Sequence, residues 1–177
     1  DIEMFNKLTT EKMLGGLEGL LGEDDYIEPL EILINSVNKN NTFNLFGSIA
    51  FRNQLKNRLK VRKKLYELTK STNMPSPADP VFVTGLPRSG TTFLFNLLAL
   101  DCNHRSPLYW EIMDPLPLAK HKKQKLWRER KINLELKFAR TIIPKLRAMH
   151  HIRAQTPEEC MLIATMNIRS IVYMCMA

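Results

Sequence analysis

The chain has 177 residues, a formal net charge of +8, and a composition of 44% hydrophobic and 25% charged residues. This length suits one domain of ordinary size, and this composition excludes disordered and fibrous proteins. Three cysteines cannot close a disulfide framework, so a small disulfide-stapled secreted module is also excluded. The surplus of Lys and Arg favours anionic ligands, nucleic acid or acidic membrane surfaces as partners.

The two ends of the chain and its apolar runs bear on membrane insertion. No run approaches the roughly 20 apolar residues that cross a bilayer, and the acidic first residues are unlike a signal peptide. We therefore expect no transmembrane segment in this piece and favour a cytoplasmic location. The most apolar run, 160–177, is typical of a buried helix. The chain lacks an initiator Met and ends within an apolar pattern, so we expect an incomplete fragment.

Residues 1–79 are predicted to form a helical N-terminal region. Asp24 and Asp25 precede a short helical pattern, at the helix end where the dipole favours acids. A longer helix follows, and its apolar positions recur mostly at spacings of three and four: Leu45, Ile49, Leu55, Leu59, Leu65 and Leu68. Its other face is rich in Lys and Arg. We interpret that face as solvated, with a nucleic-acid or lipid surface as the alternative.

Residues 80–177 begin with a different pattern. A proline-rich loop over 71–80 leads into the β-branched and aromatic run Val81–Val83, which is typical of a buried strand. A glycine-bounded turn and a helix with a strongly apolar face follow. Strand, turn and helix in this order predict an α/β protein that contains a P-loop, with a parallel sheet and flanking helices.

The last part of the chain is read as helical. From Ala119 to Arg153 the sequence is basic, with an apolar stripe at spacings of 4, 3, 4 and 3 that predicts a helix packed on one side. Pro144 is expected to kink or end that helix. The run Thr156–Glu159 then predicts another helix start, with a Thr cap and a proline at the first position.

One segment carries most of the chemistry. Gly85 and Gly90 have the spacing of a nucleotide P-loop and lie between the predicted strand and helix. Glycines let the backbone curl so that successive N–H groups face an anion, and the helix adds its own N-terminal amides and dipole. Hydroxyls at Ser89, Thr91 and Thr92 supply further donors. The alternative is a tight strand-to-helix turn that binds nothing.

Two departures from the nucleotide-triphosphatase pattern indicate the ligand. Gly90 is followed by Thr91, where that pattern has the lysine that reaches the β- and γ-phosphates. A cation, Arg88, lies instead inside the loop. A nucleotide that ends in a singly charged sulfuryl group does not need that lysine and can react without a metal.

These residues resemble a known family. The run Phe82–Thr92 is similar to the 5′-phosphosulfate loop of sulfotransferases that use 3′-phosphoadenosine 5′-phosphosulfate, in the Pro-Arg-Ser-Gly-Thr-Thr branch that includes the tyrosylprotein sulfotransferases. Weaker likeness continues through Leu97–Asp101, Arg105–Pro107 and Trp110–Glu111. The resemblance implies that this nucleotide is the co-substrate, with no metal, and that the loop binds it through Gly85, Leu86, Pro87, Arg88, Ser89, Gly90, Thr91 and Thr92.

The resemblance also implies two catalytic residues. Arg88 would take up charge on the leaving phosphate, and Glu111 matches the position of the family's catalytic acid–base. Glu111 is alternatively a glutamate at a helix start. Three histidines are other candidates for the base, although each is typical of a surface position: His104, His150 and His151.

The resemblance covers part of the family pattern. The segment around an Arg-Asp-Pro sequence that grips the 3′-phosphate is not found in these 177 residues, so the chain resembles the N-terminal half of a sulfotransferase. The expected partners are an anionic nucleotide and an acceptor with a hydroxyl or amine, and no specific nucleic acid. An atypical P-loop kinase, and a basic helical module that binds nucleic acid or membrane, are the competing hypotheses.

Overall fold

The computed structural model describes residues 7–40, 43, 45–73, 79–86, 88–116, 121–142 and 152–174. Contacts divide the chain into two compact units. One unit contains Asp1–Asn73 together with Met161–Ala177, and the other contains Met74–Cys160. The division into domains at residue 80 stays a prediction.

The first unit begins with helices that the sequence pattern predicts. Helix α1 spans Thr10–Leu14, a short 3₁₀ helix spans Asp24–Tyr26, α2 spans Ile27–Asn40 and α3 spans Leu45–Ser71. The α2 side chains buried in the core follow the spacing of one helical face: Leu30, Leu33, Ile34 and Val37. The predicted helices over these residues are therefore confirmed.

Helix α3 buries a face slightly different from the predicted one. Leu55 and Leu59 are fully buried with Phe51, whereas Leu45 and Ile49 are exposed. At 100° per residue, Leu45 and Ile49 lie outside the helix face that the three buried residues share. The basic face is also partly structural, because Arg58 is buried.

The C-terminal part of this unit consists of three short helical pieces and not the single helix predicted for 160–177. Helix α7 spans Met161–Ala164, a 3₁₀ helix spans Thr165–Asn167, and α8 spans Ile171–Met174. The left-handed backbone of Ile168, with a φ of 60°, breaks the helical path. The buried Tyr173 donates its hydroxyl to the Thr165 carbonyl, and burial raises the pKa of Tyr173 to about 12.

The second unit contains helix α4 over Thr91–Leu98, α5 over Tyr109–Met113 and α6 over Lys122–Ile142. Ile132 of α6 packs with Trp110 and Ala154 in a small core. Helix α6 confirms the predicted basic helix within its described range, while Pro144 lies outside the described residues.

The described residues form no β-strand, so the predicted parallel sheet is not confirmed. Val81–Val83 have no regular secondary structure and no partner strand in the described ranges, and an unpaired segment cannot form a ladder. The β-pairing in the described part is an isolated antiparallel bridge between Leu108 and Pro157.

The prediction that a helix starts at Thr156 is wrong. The Thr156 hydroxyl donates to the Arg153 carbonyl at 2.8 Å and accepts from the Arg153 N–H at 3.1 Å, which closes a turn backwards along the chain. The Glu158 N–H donates to the Pro107 carbonyl at 3.0 Å. These bonds hold 153–158 out of a helix, and α7 begins at Met161.

Candidate functional site

The loop between Val83 and α4 folds tightly over Gly85. A Cβ on Gly85 would lie 2.9 Å from the Ser89 Oγ and 2.9 Å from the Thr91 Cγ2, which is closer than real Cβ atoms approach. The Ser89 N–H donates to the Leu86 carbonyl at 3.2 Å and closes a turn. A glycine is therefore required at 85 because the far side of the loop packs against its backbone.

The backbone turns into α4 through two left-handed residues. Arg88 has a φ of 67° and Gly90, the N-cap of α4, has a φ of 89°. An L residue such as Arg88 occupies this conformation at a cost of about 1 kcal/mol, and such strain concentrates at functional sites. The side chain of Arg88 is exposed.

The start of α4 presents amides that have no acceptor within the helix. Its first intrahelical bond runs from the Leu94 N–H to the Gly90 carbonyl at 3.0 Å, so the N–H groups of Thr91, Thr92 and Phe93 have no acceptor within the helix. With the positive end of the helix dipole, these groups form a surface that favours an anion. Leu86, Ser89 and Gly90 beside them are also exposed.

The hydroxyl of Thr92 is held by a distant carboxylate. It donates to the Glu159 Oε1 at 2.6 Å across 67 residues of sequence. In this structure the Thr92 hydroxyl therefore does not meet the expectation of a free donor to the anion, whereas the expectation for Ser89 and Thr91 stays a prediction. Glu159 adds a negative charge beside the first turn of α4.

Glu111 lies at the start of α5 with both carboxylate oxygens bonded. Its Oε1 accepts from the Arg105 guanidinium at 2.7 Å, and its Oε2 accepts from the Leu108 N–H at 3.0 Å. The second contact is a helix-start cap, which is the structural role that the sequence left open for this residue. A carboxylate has about four acceptor directions, so two bonds leave room for a proton.

One segment connects the elements that carry these residues. The Tyr109 and Trp110 amides donate to the Thr156 and Ala154 carbonyls at 2.9 and 3.0 Å, which attaches the start of α5 to 154–156. Glu159, three residues further on, bonds to α4. Helix α4, which follows the loop, and helix α5, which carries Glu111, are therefore both hydrogen-bonded to residues 154–159.

Of the histidines that are alternative candidates for the base, the one that the structure describes lies at the surface. His104 is exposed, and its Nδ1 lies 3.2 Å from the Asp101 Oδ2. The Asn103 backbone N–H, with a further contribution from His104, holds the pKa of the Asp101 carboxyl below its ordinary value. His150, His151 and the loop residue Pro87 lie outside the described residues.

Sequence reasoning missed the roles of Arg105 and Glu159. Arg105 belongs to a run that resembles the family, but the sequence does not indicate its partner. Its spacing of six residues from Glu111 matches no pair of neighbours on a helix. Glu159 looked like a helix cap. No short-range signal links it to Thr92. Among the described residues, no group of three or more His, Cys, Asp or Glu could hold a metal ion.

The chain is similar to known proteins in sequence and in structure. The sequence model described as "Sulfotransferase family" matches residues 80–177. No curated protein matches the chain.

A solved structure of the sulfotransferase STF1 from Mycobacterium tuberculosis H37Rv is similar, with a TM-score of 0.68 and 24% identity over 95% of this chain. The match spans 49% of the STF1 chain, so this chain covers about half the length of that relative. At this identity the likeness shows a sulfotransferase-type fold and no more. The family match extends over more than half of the chain and includes the loop at 85–92. The chain therefore belongs to the sulfotransferase family.

Proposed function

We propose that the loop at 85–92 binds the 5′-phosphosulfate end of 3′-phosphoadenosine 5′-phosphosulfate, and that the whole protein transfers the sulfuryl group to a hydroxyl or amine acceptor. The observation that carries this proposal is the loop geometry. A curled backbone over Gly85 leads into an α4 start whose amides have no acceptor in the helix. Family membership and fold both support a transferase role.

The choice of a sulfuryl donor over a triphosphate rests on charge. No lysine follows Gly90, and Glu159 places a carboxylate within 2.6 Å of the Thr92 hydroxyl. A nucleoside triphosphate would bring several negative charges towards that carboxylate without the cation that usually offsets them. A phosphosulfate group brings fewer negative charges.

Arg88 is proposed to stabilise the leaving group. Transfer breaks the bond between sulfur and the oxygen that bridges to the 5′-phosphate, and that oxygen keeps the electron pair. The resulting charge grows on the phosphate. An exposed guanidinium at the loop can stabilise it, but cannot donate a proton near neutral pH.

Glu111 is proposed to be the base. The new bond forms between sulfur and the acceptor oxygen, and the acceptor proton passes to the Glu111 carboxylate, so the step balances with no further reactant. Arg105 and the Leu108 N–H fix the orientation of that carboxylate.

The test is transfer of label from ³⁵S-labelled donor by the whole protein to a panel of acceptors: carbohydrates, tyrosine peptides, lipid alcohols and small alcohols. We expect label in one acceptor class, with a rate that a metal chelator does not change. Transfer or hydrolysis of the γ-phosphoryl group of ATP with Mg²⁺, and no sulfuryl transfer to any acceptor, would instead assign the loop to an atypical kinase.

A further inference from the structure

Helix α6 has two apolar faces on opposite sides. At 100° per residue, Ile132 and Leu136 lie on one face, which packs in the small core with Trp110 and Ala154. The opposite face carries a stripe of three large apolar side chains, here called the α6 stripe: Trp127, Leu134 and Phe138. These side chains are 62%, 68% and 68% exposed. A row of large apolar groups pointing away from the core indicates an interaction surface.

Cations border the α6 stripe on both sides. Exposed Lys123, Arg130 and Lys137 follow one edge at spacings of seven, and Lys131 lies on the other edge. The Lys131 Nζ is 5.8 Å from the centre of the Trp127 ring. The helix as a whole has eight Lys and Arg against two Glu. The surface therefore combines an apolar centre with a positively charged margin.

A second exposed apolar face, on and beside α4, has a different character. Phe93, Leu97 and Leu100 are exposed there and line an open groove of about 290 Å³ whose lining residues are all uncharged. Such a face is typical of a surface that packs against a protein core. Covering the α6 stripe with a core would also bury its cationic margin, which is strongly unfavourable for each ion that is left unpaired.

We propose that the α6 stripe docks the protein on an anionic membrane surface. Trp, Phe and Leu side chains enter the boundary between headgroups and acyl chains, while the bordering Lys and Arg contact anionic headgroups. Duplex nucleic acid fits less well, since its phosphate backbone offers nothing to three large apolar groups. Within the ranges that the structure describes, no helix is long and apolar enough to cross a membrane, so α6 would lie on the surface.

The test uses Trp127 as its own reporter. The chain has two tryptophans, and Trp110 is 5% exposed with no hydrogen-bond partner for its Nε1 among the described residues. Trp110→Phe therefore loses no observed bond and leaves Trp127 as the single tryptophan of these 177 residues, so that tryptophan emission reports on the α6 stripe. The protein is titrated with phosphatidylcholine vesicles and with vesicles that also contain about 30% phosphatidylserine.

We expect a blue shift of Trp127 emission and co-sedimentation with the anionic vesicles alone. Leu134→Ser with Phe138→Ser should weaken binding at least about tenfold, because it removes apolar area and keeps the reporter. Replacing Lys123, Arg130 and Lys137 by Gln should weaken it by about 100-fold. The matched control, Phe93→Ser with Leu100→Ser, removes exposed apolar groups from the uncharged face and should leave vesicle binding unchanged.

Four results would each overturn the proposal. The first is no shift with anionic vesicles, and the second is emission already blue-shifted in the whole protein, where other parts of the polypeptide would cover the stripe. The third is a concentration-dependent dimer whose formation shifts the emission without lipid. The fourth is binding to duplex DNA that the Leu134 and Phe138 changes do not weaken.

Discussion

At the scale of single residues, Arg88 and Glu111 differ in how firmly the structure holds them. Glu111 has two hydrogen bonds to neighbouring groups, so its carboxylate is oriented. Arg88 is exposed and sits in a left-handed backbone conformation at the mouth of the loop. A cation placed there contributes most in the transition state, when negative charge develops on the leaving phosphate. Its effect on the rate should therefore be larger than its effect on donor binding.

Arg88→Ala in the whole protein should lower kcat by about 10²–10³ and weaken donor binding by less than about tenfold. The loop amides survive the change, whereas the charge that acts on the leaving phosphate is lost. Rates and donor Kd values are measured side by side, with Arg130→Ala as the control for loss of an exposed arginine. Equal losses in rate and affinity would show that Arg88 only binds.

Glu111→Gln should lower kcat by about 10²–10⁴ with nucleotide affinity nearly unchanged. The glutamine carbonyl can still accept from the Leu108 N–H, so the start of α5 is preserved, but the amide cannot take the acceptor proton. Glu135→Gln, at an exposed carboxylate on α6, is the matched control. A variant that keeps its rate would move the base to one of the alternative candidates, such as His104.

The residues of the loop could be predicted, and their distant partners could not. Gly85 and Gly90 are required by turns that close within a few residues, which leaves a spacing visible in sequence. The Thr92–Glu159 bond depends on how 154–159 packs beside 107–110. No local pattern encodes that packing.

At the scale of elements, α3 is joined to its unit by its buried apolar face and by the hydrogen bonds of one arginine, Arg62. The Arg62 guanidinium donates to the Leu21 carbonyl at 2.8 Å, to the Glu23 carbonyl at 3.0 Å and to the Asn167 Oδ1 at 2.7 Å, and it also pairs with Asp25. Its Cζ lies 4.9 Å from the centre of the Tyr26 ring. Two segments of the chain, 21–26 and the 3₁₀ helix at Thr165–Asn167, therefore converge on one side chain of the basic face that the sequence pattern predicts to be solvated.

Arg62→Ala should lower the free energy of unfolding by about 2–4 kcal/mol, because several charge-assisted bonds are lost together and their acceptors are left unpaired. Urea unfolding of the chain followed by far-UV circular dichroism gives the value. The control is Lys63→Ala on the same helix, whose pair with Glu67 is exposed and 3.7 Å long, and it should change stability by less than about 0.5 kcal/mol. Similar values for the two variants would contradict the structural role of Arg62.

Periodicity predicted α2, α3 and α6 because each is long enough to show a repeating buried face. It failed at 156–159 and 160–177. There, hydrogen bonds to residues far along the chain override local preference, as in the bond between the Glu158 N–H and the Pro107 carbonyl. The buried face of α3 also differs from the predicted one, because the elements packed against a helix decide which of its positions are covered.

At the scale of the whole molecule, the chain corresponds to about half the length of the STF1 chain it matches. The proposed cradle for the 5′ end of the donor lies within it, while no segment resembles the family's grip on the 3′-phosphate. Large apolar side chains near the loop are exposed: Phe82 is 81% exposed and Leu86 is 79% exposed.

The 177-residue chain by itself should bind adenosine 5′-phosphosulfate and its 3′-phosphorylated form with similar, weak affinities. Each charge-assisted bond to the 3′-phosphate that is missing forfeits about 1.5–3 kcal/mol. Calorimetry with the two nucleotides gives the comparison. A strong preference for the 3′-phosphorylated form would mean that the basic residues from Lys120 to Arg153 supply the grip.

The central claim is that the loop at 85–92 is built for a phosphosulfate nucleotide and not for a triphosphate. The direct measurement is calorimetric titration of the whole protein with adenosine 3′,5′-bisphosphate and, separately, with ATP and Mg²⁺. We expect the bisphosphate to bind at least about tenfold more tightly, a difference of about 1.4 kcal/mol or more. Tighter binding of ATP with Mg²⁺, with little affinity for the bisphosphate, would contradict it.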